Sequence, residues 1–153
     1  MKARKLFLKP EIQSYDQATL NHLVGPIITQ YGPPANSPPQ LTTFTCSPEV
    51  PFNNECPETL PRIQVKFDWQ KIAGDMVGGK KCYTYIYPAK SVRVGVSTTC
   101  APLTDQACVS GKSGQCVEIL EAPELIPVTI DFFIQDKDGN SSNHRSCVIA
   151  PPC

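Results

Sequence analysis

Eight cysteines carry the clearest chemistry in this chain: Cys46, Cys56, Cys82, Cys100, Cys108, Cys116, Cys147 and Cys153. Thiols can ligate a metal, attack a substrate, or pair with one another. A structural zinc site draws on closely spaced knuckles of the C-x-x-C kind. The shortest gaps here, Cys147 to Cys153 and the steps Cys100–Cys108–Cys116, are loop-sized instead. An even number of cysteines, all after residue 45, predicts disulfide pairing throughout and an oxidising compartment. Eight cysteines allow 105 pairings, so spacing leaves the connectivity open.

Other chemistry-bearing residues are sparse. Nucleophilic catalysis needs a base within hydrogen-bond reach of the nucleophile. The only histidines are His22 and His144, oxidised cysteines offer no thiol, and no nucleophile-elbow motif is present. No catalytic residue is assigned, and the chain is not expected to be an enzyme. Asp136, Asp138 and Asn140 alternate as calcium ligands often do. An EF-hand loop places glycine sixth and glutamate twelfth, whereas Gly139 falls fourth and no glutamate follows. Asp138-Gly139 is better read as a hairpin turn. No metal or other cofactor is assigned. Asn140-Ser141-Ser142 is a glycosylation sequon on that turn. Trp69, Tyr83, Tyr85 and Tyr87 could form a sugar-binding platform. Trp69, however, shares its strand face with three apolar residues, which assigns it to the core. The tyrosines alternate with Cys82, Thr84 and Ile86, so their strand is either buried on both faces or presents an aromatic stripe to a partner.

Charge and hydropathy exclude further classes. Fourteen basic and fourteen acidic side chains cancel across 153 residues, which argues against nucleic acid or an anionic membrane as partner. The one basic cluster, Lys2, Arg4, Lys5 and Lys9, reads as a solvated segment. No stretch approaches the ~20 apolar residues that span a bilayer. Leu6-Phe7-Leu8 is cut short by Lys9 and Pro10, well below the hydrophobic region of a secretory signal. The route of export is therefore left open.

The elements that must position these residues fall into three parts: an arm at 1–32, a Pro-rich linker at 33–40, and a disulfide-rich domain at 41–153. Ser14 with Gln17 forms a capping box for a short helix over 15–24, stopped by Gly25-Pro26. The arm's apolar residues are Leu6, Leu8 and Ile12, then Leu20, Leu23 and Val24, then Ile27, Ile28 and Tyr31. An isolated helix of about ten residues is marginal in water, so such an arm needs a surface to pack on. Pro-Pro-Ala-Asn-Ser-Pro-Pro at 33–39 favours an extended spacer. Beyond it the period changes to two. Ile63, Val65, Phe67 and Trp69 alternate with Arg62, Gln64, Lys66 and Asp68, and Val128, Ile130, Phe132 and Ile134 alternate likewise. Further strands are predicted at 42–46, 82–87, around Val92, Val94 and Val96, at 116–120 and at 144–149. The fold class is all-β, a disulfide-stapled β-sandwich with an N-terminal extended or short-helix arm.

Residues 128–149, with the turn Asp136-Lys137-Asp138-Gly139-Asn140-Ser141-Ser142 and Cys147 on the return strand, resemble the final hairpin of bacterial immunoglobulin-like and hyalin-repeat domains. The resemblance implies an immunoglobulin-like sandwich and no particular ligand. Lys9-Pro10-Glu11-Ile12 and the following helix resemble leader regions of ribosomally made, modified peptides, which implies an export or processing tag.

Three roles follow. The first is a structural subunit of an extracellular filament or surface assembly, its arm docking on the next copy by strand addition or helix packing. Its partner would be itself, at the cell surface or outside the cell. The second is a secreted binding or adhesion module with contacts in loops such as 101–115. The third is a domain behind a leader-like tag.

Overall fold

The computed structural model describes residues 36–88 and 97–152. The chain divides into two units, 1–35 and 36–153, and the described residues all belong to the second.

Period-two alternation builds two antiparallel sheets. β1 (Gln40–Pro48), β2 (Ile63–Gln70) and β5 (Ser113–Leu120) form one, in the order β1-β2-β5. β3 (Lys80–Ile86), β4 (Thr99–Pro102), β6 (Val128–Gln135) and β7 (Arg145–Ile149) form the other, in the order β4-β3-β6-β7. A short 3-10 turn, Gln106–Cys108, is the one helical element among the described residues. The fold is thus all-β. No helix of the described residues is long and apolar enough to cross a membrane.

The inward faces meet in a single core. Ile63, Val65, Phe67 and Trp69 of β2 are buried together with Val128, Ile130, Phe132 and Ile134 of β6. The sheets touch directly through Phe132, whose ring lies 4.7 Å from Phe44 and 5.1 Å from Phe67. Offset contacts at such separations add to simple area burial. Register decides which side chains reach this layer. Leu41 pairs with Trp69 and Thr43 with Asp68, so Thr42 is an extra, bulged residue. Without that bulge, Leu41 and Phe44, three positions apart, would face opposite sides of the strand. Thr42 and Thr43 seal it through hydroxyl hydrogen bonds to the Asp68 backbone.

Two glycines meet strict geometric demands. Gly114 sits opposite Trp69, and a Cβ there would lie 2.0 Å from the Cys108 carbonyl oxygen. Gly139 takes φ +88° in the β6–β7 turn, where its N–H donates to the Asp136 carbonyl. That left-handed conformation favours glycine. On the β1–β2 loop, Asn53 and Asn54 adopt φ 55° and 62° in succession, a region that asparagine tolerates better than most residues.

Six of the strands coincide with the alternation in the sequence to within a few residues. β4 does not: Thr-Cys-Ala-Pro is too short to show a period, and it is a strand because Cys100 pairs with Cys82 across β3. The strand expected at Val92, Val94 and Val96 lies outside the described residues. So does the arm, with Leu6, Leu8, Ile12, Leu20, Leu23, Val24, Ile27, Ile28 and Tyr31. The two-sheet body itself starts inside the Pro-rich stretch. Ser37 is buried, its N–H and Oγ both donate to the Ala73 carbonyl, and the N–H groups of Ile72 and Ala73 donate to its Oγ.

Candidate functional site

Seven of the eight cysteines fall within the described residues, and none of them is free. Cys46 of β1 bonds to Cys147 of β7, closing 101 residues and joining the two sheets along one margin. Cys82–Cys100 links neighbouring strands of one sheet, and Cys108–Cys116 fastens the 3-10 turn to β5. Cys56 is disulfide-bonded as well; Cys153 lies outside the described residues. Side chains of the 143–145 segment close the same margin. Asn143 accepts from the Leu41 N–H at 2.7 Å and donates to the Leu41 carbonyl at 3.1 Å, imitating a strand partner. Arg145 donates to the carbonyls of Leu41 and Thr42.

Among the described residues two ion pairs lie inside the body. Glu118 of β5 is fully buried and meets Lys81 of β3 at 2.7 Å, bridging the sheets along the opposite margin. Its carboxylate also accepts from the Thr104 hydroxyl and from the backbone N–H groups of Thr104 and Asp105. Lys71, just after β2, meets Asp136, just after β6, at 3.0 Å with both side chains sealed from solvent. Asp136 further accepts from Asn36, from the Asp138 N–H, and from both the backbone and side-chain amides of Asn140. Burial alone would raise its pKa; the hydrogen bonds from Asn140, Lys71 and Asp138 outweigh that and hold it below the ordinary carboxylate value. Lys71 also donates to Asn36 and to the Asp75 carbonyl. Buried charges survive only when paired and hydrogen-bonded, and both carboxylates here are saturated with donors.

These geometries settle what several chemistry-bearing residues do locally. The Asp136–Asn140 stretch is a turn organised on the Asp136 carboxylate. Among the described residues no group of three or more His, Cys, Asp or Glu is arranged to hold a metal ion. The sequon Asn140 turns its side-chain amide inward to Asp136 at 2.9 Å. Trp69 is 1% exposed, and its indole N–H donates to the Cys108 carbonyl at 2.8 Å. The tyrosines form an inward ladder with ring separations of 5.4 and 6.5 Å. Tyr85 donates to the Glu121 carbonyl, the Glu124 N–H donates to the Tyr87 hydroxyl, and burial raises the pKa of Tyr83 and Tyr85. Cys82 and Tyr83 are both buried, so that part of β3 is covered on both faces.

One pairing has no signal in the sequence. His144 lies 2.8 Å from Asp131 and stacks on Phe133 at 4.3 Å, on the outer face of the β4-β3-β6-β7 sheet. Thirteen residues separate His144 from Asp131, and only the β6–β7 register brings them together. Such a dyad could act as a base, but among the described residues no hydroxyl or thiol hydrogen-bonds to the imidazole.

Open surface features lie at both ends and on the β1-β2-β5 sheet, where Thr43, Lys66 and Val117 border a depression of about 380 Å³. Beside the start of β1, a hollow of about 750 Å³ is bordered by Pro38, Pro39, Ile72, Lys112, Ser141 and Asn143. At the other end the β1–β2 loop encloses a groove of about 450 Å³ whose walls mix Val50, Phe52 and Leu60 with Glu49, Glu55 and Glu58. A second depression, about 250 Å³, continues from Leu60 to Ile126 and Pro151. Val50 is 71% exposed and Leu125 45%. This groove, with exposed apolar and acidic side chains side by side, is the candidate functional site.

No protein-family model matches the chain, and no curated protein matches it.

Proposed function

We propose that this chain is a non-catalytic structural subunit of an extracellular assembly, self-associating through residues 1–32, with its stapled body an immunoglobulin-like sandwich. The strand order supports the fold type. With β1, β2 and β5 in one sheet and β3, β6 and β7 in the other, it follows the A-B-E and C-F-G layout of immunoglobulin domains, β4 being an added strand beside C. The Phe67–Phe132 contact joins β2 to β6, the two strands that a disulfide joins in antibody domains.

The observation that carries the role is the locking of both sheet margins. One margin has Cys46–Cys147 and the other has Lys81–Glu118, while every described cysteine is oxidised. A body so constrained suits exposure outside the cell, where disulfides persist. Its buried carboxylates hold the fold and are not offered to a substrate. Light scattering of the full chain under non-reducing conditions tests the role. Large particles or fibres are expected, and removal of residues 1–32 is expected to leave monomers; a monodisperse monomer with the arm intact overturns it.

A secreted binding module is the second reading, favoured by the 103–116 loop. Glu118 holds Thr104 and Asp105, Trp69 holds the Cys108 carbonyl, and Cys108–Cys116 closes the loop. Preformed loops of this kind lower the cost of binding.

A further inference from the structure

The geometry points to the groove of the β1–β2 loop as the docking surface for residues 2–9 of a second copy of this chain. This rests on the assembly reading above and names its receiving surface.

Chain direction favours a contact between copies. β1 runs from Gln40 to Pro48, so the described chain enters the body at one end and the 49–62 loop lies at the opposite end. A contact between the arm of one copy and the far end of another is heterologous, and such contacts propagate into open chains.

The two surfaces are also complementary in charge. The groove is lined by Val50, Phe52 and Leu60 together with Glu49, Glu55 and Glu58. Among the described residues Arg62 is the one cation lining it, and it lies 3.6 Å from Glu49. Residues 1–10 carry Lys2, Arg4, Lys5 and Lys9, no acidic residue, and the apolar run Leu6-Phe7-Leu8. Apolar side chains interspersed with cations match a lining that mixes apolar side chains with carboxylates. Each exposed ion pair adds little affinity, but opposite potentials steer encounter and set register. Reach is ample: the 27 residues from Lys9 to Asn36 extend up to roughly 90 Å.

The test uses full chains in light scattering at low salt, with matched unfolding midpoints showing that each variant folds. Glu55→Lys with Glu58→Lys is expected to weaken self-association roughly tenfold. Lys5→Glu with Lys9→Glu should do the same. Combining all four should restore association, which loss of folding would not produce; pairing Lys5→Glu and Lys9→Glu with two carboxylate-to-lysine exchanges outside the groove, which returns the net charge to zero equally, should not. Val50→Ser with Leu60→Ser should weaken association without altering its salt dependence. If the Glu55/Glu58 variant associates like the parent while removal of residues 1–32 abolishes association, the groove is wrong and the assembly reading stands. If removal of residues 1–32 changes nothing, both fall. Carboxylate–lysine crosslinks confined to single chains would overturn docking between copies.

Discussion

The two ends of the body use charge in opposite ways. Where β2 and β6 finish, Lys71 and Asp136 are fully buried and every oxygen of the carboxylate is taken by the protein's own donors. Where β1 finishes, Glu49, Glu55 and Glu58 stand exposed around uncovered valine and leucine. The first end encloses its charges; the second presents them. The loop end carries staples of its own, since Cys46 closes on Cys147 and Cys56 is disulfide-bonded, but its carboxylates stand at the surface.

Substitutions that act on only one end sharpen the contrast. Lys71→Met leaves Asp136 buried without its cation and is expected to cost about 3 kcal/mol, read as a lowered midpoint in denaturant unfolding. Gly114→Ala drives a methyl group into the Cys108 carbonyl and should cost about 1–3 kcal/mol through overpacking. It should also change Trp69 fluorescence, because the indole donates to that carbonyl.

Acid provides a gentler probe of the same end. Asp136 has a folded pKa below its unfolded value, so the native state gives up this proton more readily. Its contribution is complete above the ordinary carboxylate range and is lost as pH falls through the folded pKa. Unfolding midpoints between pH 7 and 2 should show this loss in the parent chain and less of it in Asp136→Asn. The smallest effect is expected at the other end: Val50→Ser with Leu60→Ser should move stability by less than about 0.5 kcal/mol. A large loss there would show that the groove is part of the core and would erase the contrast between the ends.

The four buried charges were partly legible. Lys71 lies two residues after Trp69, Asp136 two after Ile134, Glu118 two after Cys116, and Lys81 two before Tyr83. Each has the parity of an inward-facing neighbour, so strict alternation already aims it inside. Alternation cannot say that the site is tolerable, because that depends on a partner from the other sheet. The Asp131–His144 pair and the groove had no such local sign.

What the sequence determined by itself is local or compositional. Side-chain period two places the β2 and β6 core residues, Asp138-Gly139 marks the hairpin turn, and the cysteine count points to oxidation. Which cysteine meets which, which carboxylate meets which lysine, and where the open groove lies were decided by tertiary structure alone. Cys46 and Cys147 are 101 residues apart, and Lys71 and Asp136 are 65 apart. Contacts at such separations follow from sheet order, register and the Thr42 bulge. They arise only when strands distant in the chain have been brought face to face.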